Sequence, residues 1–139
     1  MSFFNDDPLR VEYIDGHTWL LIEDFSYLDV YETTEDDSRD YDDGPRWKTN
    51  KITVPAGFTT DFASIPRFFW RILPPAGEYG KAAVIHDFLY QYGRDNKGPV
   101  TKAYADGVFL RAMTDLGVGV FRRRAMYAAV RLFGKGNFA

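Results

Sequence analysis

The chain has 139 residues, of which 45% are hydrophobic and 17% aromatic, and a formal net charge of −3; this length suits a single domain spanning residues 1–139 with a sizeable core. It contains no cysteine, which excludes a disulfide framework and thiolate chemistry. No apolar run approaches the ~20 residues of a membrane-spanning helix, and the opening Met-Ser-Phe-Phe-Asn-Asp-Asp-Pro has no basic region leading into an apolar core, so no transmembrane segment and no signal peptide are expected.

Leu9-Arg-Val-Glu-Tyr-Ile14 alternates apolar and polar residues and predicts a strand. Asp15-Gly16 is a turn signal, and the β-branched and aromatic His17-Thr-Trp-Leu-Leu-Ile22 predicts the returning strand. Phe25 to Tyr31 alternates again, as a third strand of a small antiparallel sheet. Residues 32–44 are polar and acidic, and predict a loop without the regular ligand spacing of an EF-hand. Lys51 to Val54 predicts one more strand, ended by Pro55 and Gly57. Residues 1–60 thus form a β-rich part.

Residues 61–139 read as helical. Ser64 suits an N-cap and Pro66 the first turn of a helix over Ile65–Leu73, which stops at Pro74-Pro75. Gly77 to Gly93 predicts a central helix. Thr101 caps the next, which runs to Leu116 with Gly117 beyond its end. Val120 to Phe133 predicts the last, with Ala125, Ala128, Ala129 and Leu132 facing inward. The fold class expected is therefore α+β: a small N-terminal antiparallel sheet, then a bundle of about four helices containing an antiparallel helical hairpin.

Charge is unevenly spread. Up to Thr60 there are 14 acids against 5 bases; from Asp61 onward there are 6 against 12. Arg122, Arg123 and Arg124 open the last helix, where they oppose its dipole. They call for an acidic partner: the 32–44 loop or another molecule. Nucleic acid is not the expected partner, since this short run is its main support.

The chemistry concentrates in Lys81-Ala-Ala-Val-Ile-His-Asp-Phe-Leu-Tyr90. His86 and Asp87 are adjacent polar residues in an otherwise apolar helix, so both need partners. Residues 86 and 106 are nearly equidistant from the centre of the connection near residue 97. An antiparallel helix pair therefore sets Asp106 against His86, where it would fix the imidazole tautomer and support a general base. Asp87 then points towards the Thr59–Ser64 segment, where it could share a hard cation with Asp61 and nearby backbone carbonyls, Phe62 among them. Two histidines leave too few nitrogen ligands for zinc.

Two resemblances follow from these residues. His86-Asp-Phe-Leu-Tyr90, with Ala105-Asp-Gly-Val-Phe109 downstream and Asp61 upstream, is similar to the bacterial and fungal branch of the calcium-dependent phospholipases A2. That resemblance implies His86 as the base, Asp106 as its orienter, and Asp61 with Asp87 as calcium ligands, acting on lipid or cell-envelope esters. A longer motif set resembles the domain of unknown function 1353 family of tailed bacteriophages and prophages. It comprises Val54-Pro-Ala-Gly-Phe-Thr-Thr-Asp-Phe-Ala-Ser-Ile-Pro66, Pro74-Pro75, Gly80 to Tyr90, Ala105-Asp106, Met126-Tyr127 and Arg131-Leu-Phe-Gly134. That resemblance implies a small virion-associated protein of the tail or baseplate, or an accessory protein, in the virion or the host cytoplasm, with other phage structural proteins as partners. On this leading expectation the His-Asp network is non-catalytic; the alternative is the calcium-dependent hydrolase.

Overall fold

The computed structural model describes residues 3–4, 9–15, 18–33, 46–60 and 80–138. Six strands precede three helices among these residues: β1 (Phe3–Phe4), β2 (Val11–Asp15), β3 (Thr18–Leu21), β4 (Phe25–Thr33), β5 (Arg46–Val54), β6 (Thr59–Thr60), α1 (Gly80–Tyr92), α2 (Lys102–Asp115) and α3 (Val120–Phe133). The architecture is mixed α+β, as expected. The helix expected over Ile65–Leu73 lies outside the described residues, so three helices stand where about four were expected.

One small sheet was expected; among the described residues there are two three-stranded antiparallel sheets, ordered β1-β4-β5 and β2-β3-β6. β2 and β3 pair antiparallel on either side of residues 16 and 17, with Val11 opposite Leu21 and Asp15 opposite Thr18. β4 does not join it. It pairs instead along its full length with β5, from Phe25 opposite Val54 to Thr33 opposite Arg46, so the acidic segment connects two long paired strands. The reason is the alternation of side chains. Phe25, Tyr27 and Asp29 face inward on β4, and Val54, Ile52 and Asn50 face inward opposite them. A strand period of two puts these six on one face.

α1 packs on β5, β6 and α2, and α2 packs on β4 and α3. Gly80 and every residue from Ala82 to Tyr90 in α1 are buried. A helix apolar on nearly all sides suits that enclosed position. Thr101 caps α2, its side chain accepting from Tyr104 N at 3.0 Å. Gly117, at φ +80°, follows its end. α3 has the expected bounds, but its buried stripe is Met126, Ala129 and Val130. Ala125, Ala128 and Leu132, expected inside, are exposed.

The connection between α1 and α2 is tied to the sheet. Asp95 Oδ1 accepts from the backbone of Lys97 (2.8 Å) and Gly98 (3.0 Å), which closes a tight turn. Asn96 then donates to and accepts from the backbone of Thr53, at 2.9 and 2.7 Å. β5 is an edge strand in its sheet, and this amide pairs backbone groups that would otherwise invite another strand.

Candidate functional site around Asp106

Asp106 lies one turn inside α2 and is fully buried. A buried carboxylate needs partners, because an isolated charge away from water is strongly disfavoured. Four side chains supply them. His86 of α1 approaches with Nε2 2.9 Å from Oδ1. The Tyr90 hydroxyl, one helical turn on, donates to the same oxygen in a short hydrogen bond. Lys102 Nζ and Arg131 Nη1 both lie 3.0 Å from Oδ2. Lys102 also donates to the backbone oxygens of Val130 (2.7 Å) and Arg131 (3.0 Å), in the last turn of α3. Val130 O also accepts from Gly134 N at 2.9 Å, and a cation at this helix end complements its dipole. One carboxylate thus joins α1, α2 and α3.

The electrostatics follow from burial and hydrogen bonding. Burial by itself would raise the Asp106 pKa, but donors from His86, Tyr90 and Lys102 outweigh it and hold the carboxyl at about 2. Burial lowers His86 below its ordinary 6.5, against the opposing attraction of Asp106. Burial, reinforced by the bond to Asp106, pushes the Tyr90 hydroxyl well above its ordinary range. At neutral pH Asp106 is therefore a carboxylate, His86 a neutral imidazole and Tyr90 a neutral phenol. An ionised Asp106 accepts from His86, which sets the Nε2–H tautomer and makes Nδ1 the basic nitrogen. The imidazole stacks on Phe109, with centroids 4.5 Å apart and planes 26° apart, and lies 4.1 Å from the Tyr90 ring. It is fully buried.

Asp87 points away from this cluster. Its Oδ2 accepts from Thr60 Oγ1 at 2.5 Å and Gln91 Nε2 at 3.0 Å, at the end of β6. Asp61, Phe62, Ser64 and Pro66 lie outside the described residues. Among the described residues there is no group of three or more His, Cys, Asp or Glu side chains placed to hold a metal. At the start of α3, Arg122 and Arg124 are exposed, and Arg123 donates to Val118 O at 3.1 Å.

The structure brings together His86, Tyr90 and Asp106 and leaves Asp87 to a separate contact. Sequence reasoning missed Lys102 and Arg131. Lys102 stands four residues before Asp106 on the same helix, the spacing of a helical ion pair, and could have been found. Arg131 gives no local signal, because it reaches Asp106 only through the packing of α3. Two clefts among the described residues lie elsewhere. One, of about 470 Å³, is lined by Lys48, Asn50, Lys97, Val100 and Tyr104 among others. The other, of about 400 Å³, lies between Pro55, Phe88, Tyr92 and Arg94. Neither reaches His86.

Comparison with known proteins places this arrangement in a family context. A family model described as "Protein of unknown function (DUF1353)" matches residues 38–130. The chain is 34% identical over 107 residues to "Uncharacterized protein y4jT" of Sinorhizobium fredii (strain NBRC 101917 / NGR234). That match covers 76% of this chain and 29% of the relative, so the chain spans less than a third of that longer protein. No solved structure matches the chain.

Proposed function

This chain belongs to the DUF1353 family of proteins of unknown function, and from that premise we propose a small, non-catalytic phage protein, virion-associated in the tail or baseplate or accessory to assembly. In this reading residues 1–139 are one α+β domain and α1 and α2 form an antiparallel helical hairpin. Asp106 is the structural lock of three helices, and other phage structural proteins are the partners. The single observation that carries the non-catalytic reading is the saturation of a fully buried Asp106 by His86, Tyr90, Lys102 and Arg131. An orienting carboxylate in an acid–base pair needs the imidazole within reach of a substrate, whereas this imidazole is buried among rings. Buried networks of this kind specify packing.

His86→Ala tests the lock. It removes one donor from Asp106 and opens a cavity, and should cost ~2–4 kcal/mol in urea unfolding. An unchanged midpoint would remove the lock. Placement in a particle is tested separately, by following the protein through washing of purified virions; its absence there would count against virion association.

A second reading is favoured by one observation: His86 and Tyr90 converge on Asp106 while Asp87 turns to the other side. The resemblance to phospholipase A2 calls for that division of labour, with calcium held by Asp87 and Asp61 and an ester of lipid or cell envelope as substrate. Calorimetric titration with calcium decides it. Heat of binding in the wild type that vanishes in Asp87→Asn, with ester cleavage lost in His86→Ala, would put the hydrolase first. No binding at millimolar calcium would set it aside.

A further inference from the structure

α3 carries an apolar stripe that the rest of the described fold leaves uncovered. Phe121, Ala125, Ala128 and Leu132 recur at steps of four, three and four, which is one face of a helix. All four are exposed, Phe121 by 88% and Leu132 by 75%. Phe133, 64% exposed, and Val120 adjoin its two ends. At about 100° per residue, Arg124 and Arg131 fall on one flank of the stripe and Arg122 on the other, and all three are exposed. From Leu116 to Ala139 the chain holds five basic residues and no acid. Gly119 gives the helix no side-chain cap, so the positive end of its dipole adds to the arginines.

This pattern selects among occupants. A second copy placed stripe to stripe would bring the exposed Arg124 side chains of two helices together, and α3 carries no acid of its own to offset them. Nucleic acid offers phosphates but no apolar layer for Leu132 and Phe133. The boundary of an anionic bilayer offers both: acyl chains for exposed Phe and Leu, and phosphates for the flanking guanidinium groups. We propose that α3 docks this protein peripherally on an anionic lipid surface, with Phe121, Leu132 and Phe133 entering the headgroup layer and Arg124 and Lys135 meeting lipid phosphate. The proposal goes beyond both readings of His86 and holds under either.

Flotation of the full chain with phospholipid vesicles tests it. Vesicles of phosphatidylcholine with about a third phosphatidylglycerol should carry the protein upward at low salt and release it at high salt, whereas vesicles of phosphatidylcholine alone should leave it at the bottom. Phe121→Ser with Leu132→Ser should weaken binding about tenfold or more, and Arg124→Glu should weaken it at low salt, each with an unchanged Tm. Wild type that stays with neither vesicle, or floats equally with both, overturns the proposal. So does undiminished binding by the variants. A Tm lowered by the paired serines would mean that the chain itself covers the stripe, and a dimer in light scattering that these serines disperse would make a second copy the occupant; either result also overturns it.

Discussion

Asp106 and its partner His86 each give the fold a pH-dependent step. The Asp106 carboxyl is held at about 2, below its ordinary 3.8, so the folded state binds this proton less readily than the unfolded chain does. The associated stability is fully present above about pH 4 and is lost as pH falls towards 2, amounting to about 2 kcal/mol. His86 adds a second step. Its folded pKa is lowered from 6.5 by burial, so the unfolded state takes up the proton first, and stability declines as pH drops below about 6.5. Urea unfolding followed by circular dichroism from pH 8 to pH 2 should show both steps. His86→Gln should remove the upper one and leave the lower. A flat profile through pH 6 in the wild type would mean that the imidazole is not buried in its neutral form.

Tyr90 sits where three separate constraints meet. Its hydroxyl reaches Asp106, its ring packs edge-on to Phe138 at 5.0 Å, and its backbone oxygen accepts from Asn137 N at 2.8 Å. The last of these bonds, with Asn137 Nδ2 donating to Gln91 O at 2.7 Å, satisfies carbonyls at the end of α1. Gly93 permits the approach: its φ is +61°, and a side chain there would run into Asn137 O. Gly93→Ala therefore meets both backbone strain and a collision, and should cost about 1–3 kcal/mol. The same substitution at Gly98, which has open space around it, should be close to neutral. Comparing the two variants by thermal unfolding checks whether the tail is part of the folded core.

At the scale of elements, what could be read from the sequence depended on how local each signal was. Thr101 and Gly117 bracket α2 because a cap acts on its own helix. The β2–β3 pairing was legible from Asp15-Gly16 for the same reason. The partnership of β4 with β5 was not, because twelve undescribed residues separate them and strand pairing across such a distance leaves no local mark. α3 shows the limit most clearly. Ala125, Ala128 and Leu132 form one plausible inner stripe, and Met126, Ala129 and Val130 another, turned by about 100° on the helix. Composition does not choose between them. The choice falls to Arg131 and the carbonyl of Val130, which must meet Asp106 and Lys102, and only tertiary packing reveals that. The candidate site was legible in part for related reasons: His86 and Asp106 could be paired by their spacing from the turn, while Arg131 could not. Met126→Ala should accordingly cost about 2–5 kcal/mol, whereas Leu132→Ser should stay within about 0.5 kcal/mol. Equal losses in urea unfolding would put both stripes in the core.

Across the whole molecule, the helices and the β4–β5 sheet are joined by a second ion pair, whose carboxylate is buried and whose guanidinium is partly exposed. Arg111 of α2 meets Asp29 of β4 in a two-pronged contact, Nε to Oδ1 at 2.7 Å and Nη2 to Oδ2 at 3.0 Å. Asp29 is fully buried on the inner face of the sheet. Tyr104 also donates to Asp29, at 3.4 Å, and accepts from Asn50, while Tyr27 donates to Asp115 at 2.6 Å. Polar side chains thus sit where the alternation of both strands calls for apolar ones. Such pairs contribute little net stability against well-packed apolar residues, yet breaking one side leaves an uncompensated buried charge. Arg111→Ala should therefore cost about 3–5 kcal/mol, while Asp29→Leu combined with Arg111→Met should be near neutral or stabilising. Urea unfolding of the single and paired variants measures the difference as a coupling free energy. If the pair instead proved as damaging as the single change, the contact would be holding the register of helix on sheet, since apolar replacements of similar size would then have failed to restore the packing.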